Sequence, residues 1–153
     1  MIDIDGVVAD VRHRLHRLDR RPKDWDGFFA DARDDEPYAE GLSVVARLVD
    51  GHEVVFLTGR PERCRADTEA WLAQHGLAGH RLVMRPHGLR RPAAEVKVEL
   101  LARMAEGREV AVVVDDDPLV LQAMVAAGYP TFPAAWSDRS DELLVAQEVE
   151  GRT

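Results

Sequence analysis

From Leu42 onward the apolar residues recur with two alternating periods. Leu42, Val45, Leu48 and Val49 keep helical spacing as far as Gly51, and residues 53–57 form a short apolar run that stops at Thr58-Gly59-Arg60-Pro61. A helix and then a strand are predicted. The same reading gives a helix with Trp71 and Leu72 on its buried side up to His75-Gly76, a strand over 81–84, and a proline- and glycine-containing loop over 85–92. It continues with a helix over 93–106 that turns Val96, Leu100 and Met104 inward, and a buried strand over 109–114. A helix over 118–127 closed by Gly128 and a last short strand over 130–132 complete the series. Strand and helix alternate throughout, and the strands are apolar and rich in β-branched residues. That pattern predicts a parallel sheet covered on both faces, a doubly wound α/β domain.

Before Gly41 the pattern differs. Val8, Val11, Leu15 and Leu18 suggest a short amphipathic helix with Arg12, Arg14, His16 and Arg17 on its other side, and Trp25, Phe28, Phe29 and Ala32 form a second stripe. Residues 10–36 read as one or two helices, a small insertion within 10–40 after the first strand. Charge is blocked here: residues 12–23 hold six bases against one acid, and residues 24–40 seven acids against one base. The acidic tail over 134–153, with Leu143, Leu144 and Val149, reads as a final surface helix.

Composition narrows the class. At 153 residues and 46% hydrophobic content the chain is one domain, 1–153. A chain of this size buries roughly 70% of its unfolded surface, so it needs no disulfide. Cys64 stands alone, which excludes an internal bridge and points to a reducing, cytoplasmic compartment. No apolar run approaches the roughly 20 residues of a membrane span, and the start lacks the pattern of a signal peptide, so no membrane partner is expected. A net charge of -8 argues against broad coating of nucleic acid, although a local basic patch stays open.

Ligands of open α/β sheets bind beyond the carboxyl ends of the strands. Here the first strand ends in Asp3-Ile4-Asp5-Gly6, the second in Thr58-Gly59-Arg60, and a later one in Asp115-Asp116-Asp117. In an extended chain Asp3 and Asp5 project the same way. Carboxylates gathered from separate strands repel unless a cation sits between them, and a hard divalent ion with oxygen ligands, Mg²⁺, is the economical solution.

Asp3-Ile4-Asp5-Gly6-Val7-Val8, the run closing in Leu57-Thr58-Gly59-Arg60, then Lys97, then Val112-Val113-Val114-Asp115-Asp116 resemble, in order, the four motifs of the haloacid dehalogenase-like (HAD) superfamily. Within it, Leu82-Val83-Met84, Val96-Lys97, Asp115-Asp116 and Gly128 are similar to the 3′-phosphatase domain of phage-type polynucleotide kinases. The resemblance implies a phosphatase in which Asp3 attacks phosphorus to give an aspartyl-phosphate, while Asp5 serves as general acid and then base. Acid–base help of this kind contributes about 10²- to 10⁴-fold. Thr58, Gly59, Arg60 and Lys97 would bind the phosphoryl oxygens. Asp3, Asp5 through its backbone carbonyl, and Asp115 would hold Mg²⁺, with Asp116 a direct or water-mediated ligand. The second aspartate implies phosphoryl transfer, not dehalogenation.

The insertion is too small to close fully over the site, and the basic groups beside it favour a nucleotide or a nucleic-acid 3′-phosphate end, with Arg14, Arg17, Arg85 and Arg90 as the rim. A small generic phosphomonoester is the alternative, and a kinase domain or polypeptide is a candidate partner. Plainer readings stand beside these. Thr58-Gly59-Arg60 is also an ordinary strand-to-helix turn, Lys97 a solvated lysine, and Arg85, His87, Arg90 and Arg91 part of a plain flexible loop; Asp117 caps a helix opening at Pro118. His13 and His16 belong to a solvated basic helix, Trp25, Phe28 and Phe29 to the core of the insertion, and Cys64 to a buried helix position. The rivals are a signalling receiver domain, in which the acidic pair would precede Thr and Lys, and an idle Mg²⁺-binding module. Only Met1 and Ile2 precede Asp3, so either the first strand is very short or the polypeptide begins upstream.

Overall fold

The computed structural model describes residues 1–19, 21–137 and 141–151. The apolar runs become parallel strands: β3 (Val55–Pro61) pairs with β4 (Arg81–Arg85), and β5 (Val113–Asp115) with β6 (Thr131–Pro133). Residues 1–3 run between these two pairs as an extended segment. Ile2 forms parallel bridges to Phe56 on one side and to Val114 on the other, so residues 1–3 lie between the two pairs. Ile2 N donates to Val55 O at 2.9 Å and Asp3 N to Val114 O at 2.9 Å, while Leu57 N and Val114 N donate to Ile2 O and Met1 O at 3.0 and 2.9 Å. The Met1 ammonium completes the row on Val112 O at 2.9 Å. Residues 109–112, expected in a strand, lie outside the ladder, which begins at Val113.

Alternation along the strands sends side chains to both faces. Phe56 and Val114 share a core with Ile2, with Val45 of α2 (Ala39–Leu48) and with Trp71 and Leu72 of α3 (Arg65–Gln74). Leu57 and Val113 join Leu101 of α4 (Ala93–Met104) and Val120 and Met124 of α5 (Pro118–Ala126) in another. Each such side chain, fully buried, stabilises by about 1.5–3 kcal/mol. A cavity of about 450 Å³ lined by Met1, Leu48, Val54, Leu101 and Val112 lies at the amino edge, opposite the strand ends that carry the motifs. No helix among the described residues is long and apolar enough to cross a membrane.

The insertion is closed by an antiparallel pair, β1 (Ala9–Asp10) with β2 (Glu36–Pro37), and holds α1 (Trp25–Ala30) between two 3₁₀ segments, Arg12–Arg17 and Asp31–Asp34. The first of these corrects the sequence reading. With three residues per turn, Val11, Arg14 and Arg17 fall on one side, and Arg14 goes fully inside. The aromatic stripe does form the core here: Phe28 and Phe29 meet edge-on at 5.4 Å and Trp25 stacks on Phe29 at 6.0 Å. Cys64 and Met84 pack against it. The tail, expected as a surface helix, is α6 (Asp141–Leu144) followed by a wide turn over Val145–Val149, and it buries Leu143, Ala146 and Gln147.

Candidate active site

The strand ends bring Asp3, Thr58 and Asp115 side by side, and α4 delivers Lys97 between two of them. Lys97 Nζ donates to Asp3 Oδ2 at 2.6 Å and to Asp115 Oδ2 at 2.7 Å, with all three side chains buried. Asp116 joins from the next position. Its carboxylate lies against Gly6, where an added Cβ would meet Oδ2 at 2.3 Å and where φ is +78°, so only glycine fits. Asp3, Asp115 and Asp116 can each offer an oxygen within 4.8 Å of the others.

Burial is the main reason that the Asp3 carboxyl stands well above its usual range; Lys97 opposes the shift, and Asp115 and Asp116 add to it. Desolvation works against the Lys97 ammonium as well, but the two carboxylates outweigh it and hold the lysine charged. Asp3 Oδ1 is buried and has no hydrogen-bond partner among the described residues. Three crowded carboxylates with an orphaned oxygen are a donor set suited to a hard divalent cation.

Asp5 departs from the expected geometry. The rule that i and i+2 point together needs extended backbone, and the chain turns at Ile4, whose carbonyl accepts from Val7, Val8 and Ala9 N at 3.2, 3.0 and 2.9 Å. The Asp5 carboxylate therefore lies outside the Asp3, Asp115 and Asp116 group. It accepts from Arg14 Nη2 at 2.8 Å and from Arg60 Nε and Nη2 at 2.8 and 2.6 Å. Burial would raise its pKa, but Arg14 and Arg60 together bring it below the ordinary value.

Behind Asp5 lies a residue that sequence reasoning missed. Asp35 is buried, and its carboxylate accepts from Arg14 Nε and Nη2 at 2.8 and 2.9 Å and from Arg60 Nη2 at 2.7 Å. His13 Nε2 lies 2.9 Å from Asp35 Oδ1, and Trp71 Nε1 donates to the Asp35 carbonyl at 2.8 Å. Two guanidiniums and two carboxylates thus form one charge-balanced cluster. Nothing in the spacing set Asp35 apart from the other acids of residues 24–40.

The remaining expected site residues separate. Thr58 Oγ1 accepts from Arg60 N at 3.2 Å, which fixes the Thr58-Gly59-Arg60 turn at the end of the ladder. Arg60 spends its guanidinium on Asp5 and Asp35, so it is not an open phosphate ligand. Of the four rim arginines, Arg14 is inside the cluster and Arg17 is paired with Asp24 at 2.9 Å and Asp31 at 2.8 Å. Arg85 is buried at the end of β4, donates to Arg91 O at 3.0 Å and Gly151 O at 3.3 Å, and is pushed down to about 10 by desolvation. Arg90 alone of the four is exposed. Asp117 takes the expected cap, accepting from Leu119 N at 2.8 Å.

Residues 1–138 match the family model of the polynucleotide kinase PNKP phosphatase domain. Two solved structures, one of the Pnkp1/Rnl/Hen1 RNA repair complex and one of the Pnkp1/Rnl/Hen1 complex, each contain a chain that matches with a TM-score of 0.73 and 23% identity. The match covers 86% of this chain in both cases, and 40% and 44% of the other, so this protein spans less than half the length of those chains. No curated protein matches. Four ordered motifs converging at the strand ends, and a family match over most of the sequence, lead to one assignment: the chain belongs to the polynucleotide kinase PNKP phosphatase domain family.

Proposed function

We propose that the protein is a Mg²⁺-dependent phosphomonoesterase on a doubly wound HAD core, acting on a nucleotide or nucleic-acid 3′-phosphate end through an aspartyl-phosphate. The observation that carries this reading is Lys97 bonded to both Asp3 and Asp115, with Asp116 beside them, at the carboxyl ends of adjacent strands.

An Asp3 carboxylate oxygen forms the new bond to phosphorus while the bond from phosphorus to the departing ester oxygen breaks. Asp5 supplies the proton to that oxygen. Water then attacks the phosphorus of the intermediate, Asp5 takes its proton, and the bond to Asp3 breaks to release inorganic phosphate. Arg14 and Arg60 favour the ionised form of Asp5, the form that the second half of the reaction uses. Lys97 neutralises charge that builds on the phosphoryl oxygens, and Thr58 orients one of them. Mg²⁺ held by Asp3, Asp115 and Asp116 would withdraw charge from the phosphoryl group and keep Asp3 ionised.

The polynucleotide end rests on the family and on the small insertion; a compact phosphomonoester is the second reading, favoured by the burial of Asp3, Thr58 and Lys97. A kinase polypeptide as partner and a cytoplasmic location belong to the same proposal. The test is a panel of a 3′-phosphorylated oligonucleotide, nucleoside monophosphates and a chromogenic aryl phosphate, with and without Mg²⁺. Turnover that needs Mg²⁺ and disappears in Asp3→Asn is expected, and Asp5→Asn should lose about 10²- to 10⁴-fold. Full activity in Asp3→Asn would sink the mechanism, and a long-lived aspartyl-phosphate after acetyl phosphate treatment would favour a receiver.

A further inference from the structure

The insertion supplies a buried carboxylate that takes no part in making or breaking bonds. Asp35 is 3% exposed and sits between the second 3₁₀ segment and β2. It is fixed through backbone and side chain alike. Trp71 Nε1 of α3 donates to its carbonyl at 2.8 Å, while its carboxylate accepts from Arg14 Nε and Nη2 at 2.8 and 2.9 Å and from Arg60 Nη2 at 2.7 Å. Arg14 is held from elsewhere as well, with Nη1 on Phe28 O at 3.4 Å and its guanidinium carbon 4.2 Å from the centre of the Phe28 ring. Neither fork can rotate without giving up a charge-assisted bond to Asp35.

The result at Asp5 is one-sided. Arg14 Nη2 at 2.8 Å and Arg60 Nε and Nη2 at 2.8 and 2.6 Å all donate to Oδ1. Among the described residues no hydrogen bond ends on Asp5 Oδ2. An arginine free to choose pairs with a carboxylate through two parallel bonds, one to each oxygen. Here Nη2 of each arginine is shared with Asp35, which holds both forks on the Oδ1 side and leaves Oδ2 for the departing group.

We propose that Asp35 is a positioning residue for the general acid: by holding Arg14 and Arg60 on Asp5 Oδ1, it reserves Oδ2 for the proton that passes to the departing ester oxygen. The inference rests on the phosphatase reading above. In that step an Asp3 oxygen bonds to phosphorus, the ester bond from phosphorus to oxygen breaks, and the proton moves from Asp5 Oδ2 to the oxygen that leaves. Asp35 acts only through the two arginines. In the Asp35→Asn variant the amide turns donors toward at least one guanidinium, and the released arginine nitrogen takes Asp5 Oδ2 as its acceptor in place of the proton.

The test changes only the leaving atom. The probes are a nucleoside 3′-phosphate and its analogue with sulfur in place of the 3′ bridging oxygen, each also carried at the end of an oligonucleotide, with Mg²⁺ present. A thiolate departs without a proton whereas an alkoxide needs one, and kcat/KM reads the transition state of that departure. Asp35→Asn should lower kcat/KM for the oxygen ester about 10²-fold, and that for the sulfur ester by about tenfold less. Both values come from one preparation, so loss of folded protein divides out of their ratio. Asp35→Glu keeps the charges balanced but moves the carboxylate by one methylene, and its ratio should fall in the same direction; it carries the test if Asp35→Asn does not fold. On an Asp5→Asn background, Asp35→Asn should leave the ratio where Asp5→Asn alone puts it, because the two residues act as one unit. A wild-type ratio in a folded Asp35 variant, or a further fall on the Asp5→Asn background, overturns the proposal. A wild type that turns over neither oxygen ester would instead mark failure of the phosphatase reading, and the positioning role would fall with it.

Discussion

Asp35 touches no residue of the Asp3, Lys97 and Asp115 triad, yet it decides where two arginines aim. It anchors Arg14 and Arg60, and both turn their free edge to Asp5. Removing one partner of a buried ion pair costs about 3–5 kcal/mol, so Asp35→Ala should lower the denaturant midpoint by that equivalent. Arg60→Lys should also lose activity, because an ammonium cannot serve Asp5 and Asp35 in a planar fork. Two neighbouring aspartates then give opposite pH responses. The folded pKa of Asp5 is depressed, so its pairing contributes stability fully present above the ordinary carboxylate value of about 3.9 and lost as pH falls through the lower folded value. That of Asp3 is raised, so its ionisation costs stability as pH rises through the folded value. Calorimetry without metal should find Asp3→Asn melting above wild type at neutral pH, and Mg²⁺ should raise the wild type more than the variant. Asp3, Lys97 and Asp115 were legible because their motifs fix both identity and order. Asp35 was not, since its partners arrive through the fold and not through spacing.

At the scale of elements, periodicity found the strands and helices in their order and missed where two of them change character. The Arg12–Arg17 segment has apolar spacing compatible with an α-helix, and only the 3₁₀ turn rotates Arg14 into the interior. The turn at Ile4 likewise separates Asp3 from Asp5, which alternation had placed together. The length of β5 was misjudged as well, because an apolar run does not say how many of its residues find a partner: only Val113–Asp115 of that run join the ladder with Thr131–Pro133. Close approach adds a sharper expectation for α2. A Cβ at Gly41 would sit 2.0 Å from Val7 O, so α2 crosses directly over the loop that follows Asp5. Gly41→Ala should destabilise by about 1–3 kcal/mol or more through overpacking, read from the shift in urea midpoint. If the midpoint does not move, the contact between α2 and that loop is looser than described.

For the molecule as a whole, the net charge of -8 divides by location. Asp3, Asp5, Asp35 and Asp115 are interior and paired with Arg14, Arg60 and Lys97, so four of the 28 acidic side chains are no part of the surface charge. The acidic tail, which looked like solvent-facing decoration, places Glu148 beside α4 because Leu143 and Ala146 bury against the insertion. A short apolar pattern does not say which distant surface it will meet, and that is why sequence could not read it. The sheet has a further property. Among the described residues, residues 1–3 are what join the β3–β4 pair to the β5–β6 pair. Tension applied at Met1 along the strand axis would load the bonds to Val55, Leu57, Val112 and Val114 together, as a shear clamp. Tension applied across the sheet, from β4 to β6, would open them in turn like a zip, beginning at the seam between Ile2 and β3, which two bonds hold against three on the side of Val112 and Val114.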